Sequence, residues 1–222
     1  LFLLASSLCL ALIGAFAAPV AAAETATAAA TPAPAPAAAS NPASNTVQLV
    51  WLVYVSGIRI GVVGLKTNFV PGAYSAVSNL KTGGLVGMVY DAQIQANAVG
   101  YVANATLRPR NYAADAMSRK RQQTQLAYSA AGIELLANPP YNTKRFPVSE
   151  EQKRGTLDPL SAMTFAISGI SVTPQHPCGD TLHVFDGARR YDVEFKFVAN
   201  VTLKADEEGY GGPAVKCEVV YN

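Results

Sequence analysis

The sequence predicts a mainly β, α+β fold: a long, curved antiparallel sheet or open barrel with one late helix. Two patterns carry this prediction. About nine runs rich in β-branched and aromatic residues are separated by turns that contain Gly or Pro, and one segment, beginning at Asp158, changes to a helical period. Half of the 222 residues are apolar, so the chain is long enough to bury the core of one ordinary domain.

The first two strands are predicted at Val47–Val55 and Ile58–Val70, because both runs are rich in Val, Ile and aromatic residues. Ser56-Gly57 between them supplies the turn of a hairpin. Gly61 and Gly64 interrupt the second run, and glycines inside a strand are typical of a bulge or a bend. We therefore expect the second strand to be bent.

The middle of the chain is predicted to continue as a meander. Ala73–Leu80 and Gln93–Ala98 alternate between the two faces of a strand, and the glycine-rich stretch Gly83–Tyr90 between them is expected to form a short helical turn or a loop. Arg108-Pro109-Arg110 is expected to break the strand pattern, because proline cannot donate to a ladder. Further strands are predicted at Asn111–Met117, Lys120–Tyr128 and Ile133–Ala137, and Asn138-Pro139-Pro140 ends the series.

The late helix is predicted from its start signal. It follows the polar, turn-rich stretch Phe146–Thr156. Asp158 is a good N-cap because its side chain accepts an unpaired backbone N–H, and Pro159 suits the first helical position because it has no N–H to lose. We expect a helix of about ten residues that ends near Gly169.

The last hairpin is predicted from Leu182–Phe185 and Arg190–Leu203, joined by the turn Asp186-Gly187-Ala188. Its second arm is expected to have one core face and one face in water. The residues assigned to the core face are Tyr191, Val193, Phe195, Phe197 and Ala199. Ala214–Tyr221 is predicted as the final strand, and the strands at the two ends of the domain are expected to close against each other. Because the sequence stops within that strand, a truncated C-terminus is expected.

Residues 1–23 are interpreted as a signal peptide. Leu1–Phe16 is an uncharged apolar run, and small residues lead to the cleavage site predicted between Ala23 and Glu24. No Met or basic residue precedes Leu1, so the signal is expected to be truncated at its start. The alternative is a buried or membrane-spanning helix, for which the run is short. Residues 24–45, rich in Ala and Pro, are expected to be a disordered linker that tethers the domain or is an inert leader, and residues 46–222 form the single β-rich domain.

Two cysteines remain once the signal is removed, Cys178 and Cys217. An even pair in an oxidising compartment predicts a disulfide. The alternative is a metal site, because His176 and His183 lie near the cysteines in the sequence. These four residues do not have the usual spacing of zinc ligands, so the disulfide is the prediction and no metal is assigned.

Three segments together resemble a known family. They are the hairpin Val53–Gly61, the helix start Gly155–Ala162, and Cys178 followed by Val184–Asp192. From about Gln48 to Tyr221 the chain resembles the exported bacterial family of domain of unknown function 3108. The resemblance carries no established activity and implies compartment and fold. The residues that mark its structural motifs are Asp158, Pro159, Asp186, Gly187, Arg189 and Tyr191.

The composition disfavours several classes of function. A net charge of +2, with only 14% charged residues, gives no strong field to attract nucleic acid, and membrane contact is expected to be at most peripheral. The candidate acids Asp158 and Asp186 have ordinary roles as a helix cap and a turn residue. Asp180 and Asp192 are the other candidate acids, and no familiar catalytic motif accompanies the four. Enzyme function is therefore disfavoured, and no catalytic residue or cofactor is assigned.

Basic residues occur at Arg108, Arg110 and in the run Arg119-Lys120-Arg121. Two interpretations stay open. They form a cluster that faces phosphate head groups or lipopolysaccharide, or they guard an exposed strand edge against aggregation.

Three functions remain in order of preference. The first is a non-catalytic periplasmic protein of the Gram-negative envelope that binds a protein or a cell-wall component. The second is a carrier that holds a lipid or another apolar ligand in the concave face of the sheet, which an apolar cavity would favour. The third is a hydrolase of unfamiliar type, which a cleft joining a carboxylate to His176 or His183 would favour.

Overall fold

A computed structural model describes residues 45–83, 91–145, 147–205 and 211–222. Its main feature is a seven-stranded antiparallel sheet in which the spatial order of the strands is their order in the chain. The strands are β1 (Asn45–Val55), β2 (Ile58–Val70), β3 (Ala73–Thr82), β4 (Gln93–Ala103), β5 (Thr106–Met117), β6 (Arg121–Ser129) and β7 (Gly132–Asn138). The mainly β class is confirmed, and the sheet is open rather than closed into a barrel.

A second antiparallel sheet contains β8 (Leu182–Phe185), β9 (Arg190–Leu203) and β10 (Gly212–Tyr221), in the order β10-β9-β8. The predicted closure of the two ends of the domain is wrong within the described residues, since β1 and β10 belong to different sheets. The connection between β7 and β8 contains a 3₁₀ turn (Thr143–Arg145) and two helices, α1 (Glu150–Lys153) and α2 (Pro159–Ser168).

The helix α2 has the predicted start and end. Asp158 Oδ1 accepts hydrogen bonds from the backbone N–H groups of Leu160 and Ser161 at 3.0 and 2.8 Å, and Pro159 occupies the first turn. Gly169 ends the helix in the left-handed conformation, with φ of 66°. The helix is buried and contacts β3, β4, β5 and β8, so it joins the two sheets.

The core lies between the large sheet and α2, and small residues on the sheet allow the helix to approach. Ala98 is fully buried and Ala76 nearly so, and both pack with Leu160. Gly100 has no room for a side chain, since a Cβ there would stand 2.7 Å from the Tyr74 ring. A second buried cluster joins Tyr74 and Leu107 to Leu157, Ala162, Phe165, Leu182 and Val184.

The expected break at Arg108-Pro109-Arg110 is wrong, because β5 runs through all three residues. The pairing of β4 with β5 shifts register between Val99 and Gly100, which pair with Asn111 and Pro109. Arg110 is therefore the extra residue of a bulge. A proline is tolerated beside a bulge because the ladder is locally disrupted there.

Two other local predictions need correction. The stretch Phe146–Thr156 contains the short helix α1, whose N-cap Ser149 forms a capping box with Gln152. Phe197, predicted to lie on the core face, has 49% of its surface exposed. The β9–β10 ladder passes from Ala199 to Phe197, leaving out Val198, and a bulge of this kind interrupts the alternation of faces.

The bend predicted at the glycines of β2 corresponds to a register shift between Val53 and Tyr54, opposite Gly61 and Arg59. Asn45, which was assigned to the linker, is the first residue of β1. Several interpretations fall outside the described residues: the signal peptide with its cleavage site, the rest of the linker, and most of Gly83–Tyr90.

Candidate functional site

Asp158 is held in a buried hydrogen-bond network rather than in a cleft. Its Oδ2 accepts a 2.5 Å hydrogen bond from the Ser161 hydroxyl, which in turn lies 2.6 Å from the Tyr74 hydroxyl. Asp158 has no exposed surface. Burial raises the pKa of Asp158 to about 6, although the hydrogen bonds from Ser161 and the backbone oppose this. The arrangement caps α2 and gives no access to a substrate.

The second motif, Asp186-Gly187, forms a turn that docks against the large sheet. Asp186 Oδ1 accepts hydrogen bonds from the backbone N–H groups of Ala188 and Arg189 at 2.7 and 2.6 Å. Gly187 is buried at a φ of 97°. A Cβ on Gly187 would meet Thr124 at 2.9 Å, and the Thr124 hydroxyl is bonded to Tyr141 at 2.5 Å. The turn thus has a structural role in joining the two sheets.

Beyond this turn, polar side chains of β8 and β9 form a surface cluster. His183 Nδ1 lies 2.5 Å from Asp192 Oδ1, and Arg190 binds the other carboxylate oxygen at 2.8 Å. Partial burial of Asp192 opposes ionisation, but hydrogen bonds from His183 and Arg190 hold its pKa below the usual value. His183 is half exposed, and neither pocket described below includes this cluster. Tyr191 packs against Tyr221, with ring centroids 4.5 Å apart.

The predicted disulfide is present. Cys178 and Cys217 are joined, with their Cα atoms 6.0 Å apart, so the loop after α2 is bound covalently to β10. Both sulfur atoms are thereby removed from the alternative metal site. Within the described residues, no group of three or more His, Cys, Asp and Glu side chains is arranged to hold a metal ion.

The basic residues do not form one cluster. Arg108 and Arg110 lie near the start of β5, whereas Arg119 and Lys120 lie in the turn that follows it. About ten residues of extended strand separate the two groups, which corresponds to roughly 30 Å. Arg121 is bound to Asp115 by both carboxylate oxygens. The interpretation as a single phosphate-binding patch is wrong for these residues.

The face of the large sheet opposite α2 carries a groove of about 430 Å³. It spans the middle of β3, β4, β5 and β6 and takes three consecutive residues from each. The outward-pointing residues that line it are Val77, Asn79, Gln95, Asn97, Ala113, Asp115, Gln123 and Gln125. They alternate with core-facing residues such as Ala96 and Thr124. We call this feature the amide groove, because five of its eight outward side chains are Asn or Gln.

The side chains of the amide groove lie in two rows that cross the strands. In one row Asn79 pairs with Gln95, Gln95 with Asp115, and Asp115 with Gln123. In the next row Ala113 lies between Asn97 and Gln125. Because the side chain of Ala113 is small, a depression forms between the longer side chains of Asn97 and Gln125.

The one carboxylate of the amide groove is paired. Asp115 binds the Arg121 guanidinium, and Gln123 Nε2 lies 3.4 Å from its second oxygen. These hydrogen bonds lower the pKa of the exposed Asp115, with the bond from Arg121 as the largest cause. The groove therefore presents mainly neutral amide groups.

A second, smaller pocket of about 260 Å³ lies between the β6–β7 turn and α1. Tyr128, Glu150 and Lys153 are among its lining residues. The Tyr128 hydroxyl is buried and has no hydrogen-bond partner in the described part of the chain. Lys153 is bound to Glu150 at 2.6 Å, so this pocket offers fewer unpaired polar groups than the amide groove.

Apolar side chains are exposed along β1, which among the described residues has a neighbouring strand on one side only. Val50, Leu52 and Tyr54 have 65%, 51% and 48% of their surfaces exposed. The strand contains no charged residue, although charges are the usual protection of an edge against pairing with other chains.

None of the predicted motif residues lines the amide groove, and sequence reasoning did not identify it as a site. The signal was present, because Gln93, Gln95 and Asn97 alternate with apolar residues. Alternation alone assigns these residues to the exposed face of a strand. It does not show that amides from four strands meet in a depression.

Among the described residues, no helix combines the length and the apolar character needed to cross a membrane.

Comparison with other proteins places the chain in a family. No curated protein and no solved structure matches the chain. A family described as "Protein of unknown function (DUF3108)" matches residues 50–222, which is most of the chain. The protein therefore belongs to the DUF3108 family.

Proposed function

We propose that the protein is exported to the periplasm of a Gram-negative bacterium and acts there as a non-catalytic binding protein. Its partner is an envelope protein or a cell-wall component, which it contacts through the amide groove. The disulfide between Cys178 and Cys217 supports export, because such bonds persist mainly in oxidising compartments. The apolar run ending in small residues before Glu24 supports it as well.

The observation that carries the binding role is the polar lining of the amide groove. Ligand sites are concave and fix their ligands with a few convergent polar groups. The groove is concave and most of its outward side chains are amides. An apolar ligand would leave these amides without hydrogen bonds, which costs free energy. The lining therefore favours a polar partner over the alternative of a lipid carrier.

The hydrolase alternative has less support, because two of its candidate acids have structural roles. Asp158 is fully buried as a helix cap, and Asp186 is occupied by the backbone of its own turn. His183 and Asp192 form a pair, but neither residue lines the amide groove or the smaller pocket. The proposal therefore assigns no catalytic step and no cofactor.

Export is tested by fractionating the native host and sequencing the N-terminus of the protein. Recovery in the periplasmic fraction, beginning at Glu24, is the expected result. Recovery in the cytoplasm with both cysteines reduced contradicts it. Thiol alkylation before and after reduction reports the state of the pair.

Binding is tested by placing a photo-crosslinking amino acid at Gln125 in living cells. The matched control is Gln48, an exposed amide in the same cross-strand row but five strands away on β1. A crosslinked envelope protein, or retention on isolated cell wall, is expected for the Gln125 probe only. Equal labelling from both positions, or none from either, contradicts the proposal.

A further inference from the structure

The amide groove contains hydrogen-bonding groups that the protein itself does not use. The side-chain amides of Asn79, Gln95, Asn97 and Gln125 have no protein partner within the described residues. The side-chain amide of Asn79 lies over Gly64 and occupies the space that a side chain there would fill. A Cβ on Gly64 would be 3.2 Å from the amide. The four amides are therefore available to a ligand, and the amide of Asn79 is also held in place by packing.

These residue types are not those that a strand prefers. Asn is depleted from strands, yet Asn79 and Asn97 occupy interior strands of the large sheet. On a face that only meets water, Thr is a polar residue that strands prefer to Asn. Positions that oppose local preference without a structural reason concentrate at functional sites. The composition of the groove therefore indicates a ligand.

The chemistry of the amides defines the ligand. Each side-chain amide offers one acceptor and two donors but no charge. A ligand that satisfies several of them carries neutral groups that both donate and accept, as hydroxyl and acetamido groups do. The small Ala113, and the exposed Val77 on the other side of Asn97, leave room for the C–H face of a sugar ring.

An extended peptide fits this site less well. Peptides that bind sheets usually add to a free edge, where backbone groups are unpaired. The strands β3 to β6 each have a neighbour on both sides. Their backbone groups are therefore already paired, and a ligand in the groove can bind only to side chains. An anionic ligand is also disfavoured, because Asp115 lies in the groove and Arg121 is already paired with it.

We infer that the amide groove binds a neutral glycan chain, which is read by side-chain amides arranged across β3 to β6. This inference rests on the proposed function and names the class of its partner. Because neighbouring strands lie about 4.8 Å apart, a chain laid across them meets an amide from each of several strands.

The test is calorimetric titration of the purified exported protein with the tetrasaccharide of N-acetylglucosamine. Gln95→Ala/Asn97→Ala removes two exposed amides, and the matched control Gln48→Ala removes one exposed amide outside the groove. We expect saturable binding, about tenfold weaker for the double variant because two hydrogen bonds are lost, and unchanged for the control. Ala113→Leu fills the depression and is expected to weaken binding while the thermal melt shows an intact fold.

Absence of binding to this tetrasaccharide and to maltotetraose at millimolar concentration overturns the inference, as does unchanged affinity in both groove variants. If the Gln125 probe still captures an envelope protein in that case, the proposed function stands and only the ligand class fails. If the protein binds the glycan but is recovered in the cytoplasm, the ligand class stands and the proposed periplasmic role fails.

Discussion

Gly187, at the tip of the β8–β9 turn, packs against the Thr124 methyl group in β6, so closely that a Cβ on Gly187 would lie 2.9 Å from it. The turn also contacts Leu135 and Tyr141. Two sheets that share no strand are thus held together at a point where only glycine fits.

Gly187→Ala is expected to lower the free energy of unfolding by roughly 2 to 4 kcal/mol, through steric overlap added to backbone strain. Gly72→Ala is the control, because Gly72 also has a positive φ but no neighbour within 4 Å of its Cβ position; it should cost only about 1 kcal/mol. Urea denaturation measures both. Equal effects would show that close packing at Gly187 is unimportant.

The disulfide is expected to stabilise the fold by roughly 3 to 4 kcal/mol. It joins residues 39 apart in the sequence and so lowers the conformational entropy of the unfolded chain. Cys178→Ser, Cys217→Ser and the double variant should therefore show similar losses in melting temperature. Adding reductant to the wild-type protein should produce the same loss. No change of melting temperature on reduction would refute this role.

Stability is expected to depend on the ionisation of Asp158. Its folded pKa of about 6 lies above the ordinary aspartate value of 3.8, so the folded state binds more protons than the unfolded state between these values. Stability from this group is therefore fully present below about pH 4 and is lost as the pH rises through 6. Asp158→Asn, which retains a good N-cap, should flatten this part of the profile. Unfolding free energies at several pH values between 3.5 and 7 measure it, and an unchanged slope contradicts the assignment.

Association through β1 is expected to respond to a single charge. Leu52→Lys places a lysine on the exposed side of the edge strand, where it hinders pairing with another chain. The free energy of unfolding should change by no more than about 0.5 kcal/mol, while aggregation on heating, followed by light scattering, becomes slower. Trp51→Lys is the contrast, because Trp51 packs on the core and its loss should destabilise the fold.

Local signals in the sequence predicted most of the elements. The cap Asp158, the helix end at Gly169 and the Ser56-Gly57 and Asp186-Gly187 turns depend on nearby residues, and the structure has each of them. The errors arise where distant strands decide the outcome. Pro109 stays within β5 because a bulge forms opposite Gly100, and Phe197 is exposed because the ladder to β10 is irregular.

The amide groove escaped prediction for a related reason. Gln95 and Gln125 are 30 positions apart in the sequence, and their proximity depends on the register of β4, β5 and β6. Register is set by tertiary packing and turn geometry. Among the distant contacts, the Cys178–Cys217 pair was predicted correctly, because two cysteines lie outside the apolar N-terminal run and allow one pairing.

The order of strands in the large sheet has a consequence for how the molecule forms. Each strand from β1 to β7 pairs with its neighbour in the chain, so every new strand adds to an edge that already exists, with a short loop to close. Pairing between neighbours in the chain keeps the loop-closure entropy of each added strand low. The β8–β9–β10 sheet instead docks through Gly187 onto β6 and β7. These two strands precede it in the chain, so the surface on which it packs can form first. The polypeptide can therefore fold vectorially, from its N-terminal strand to its C-terminal one, with the sulfur bridge as the closing step.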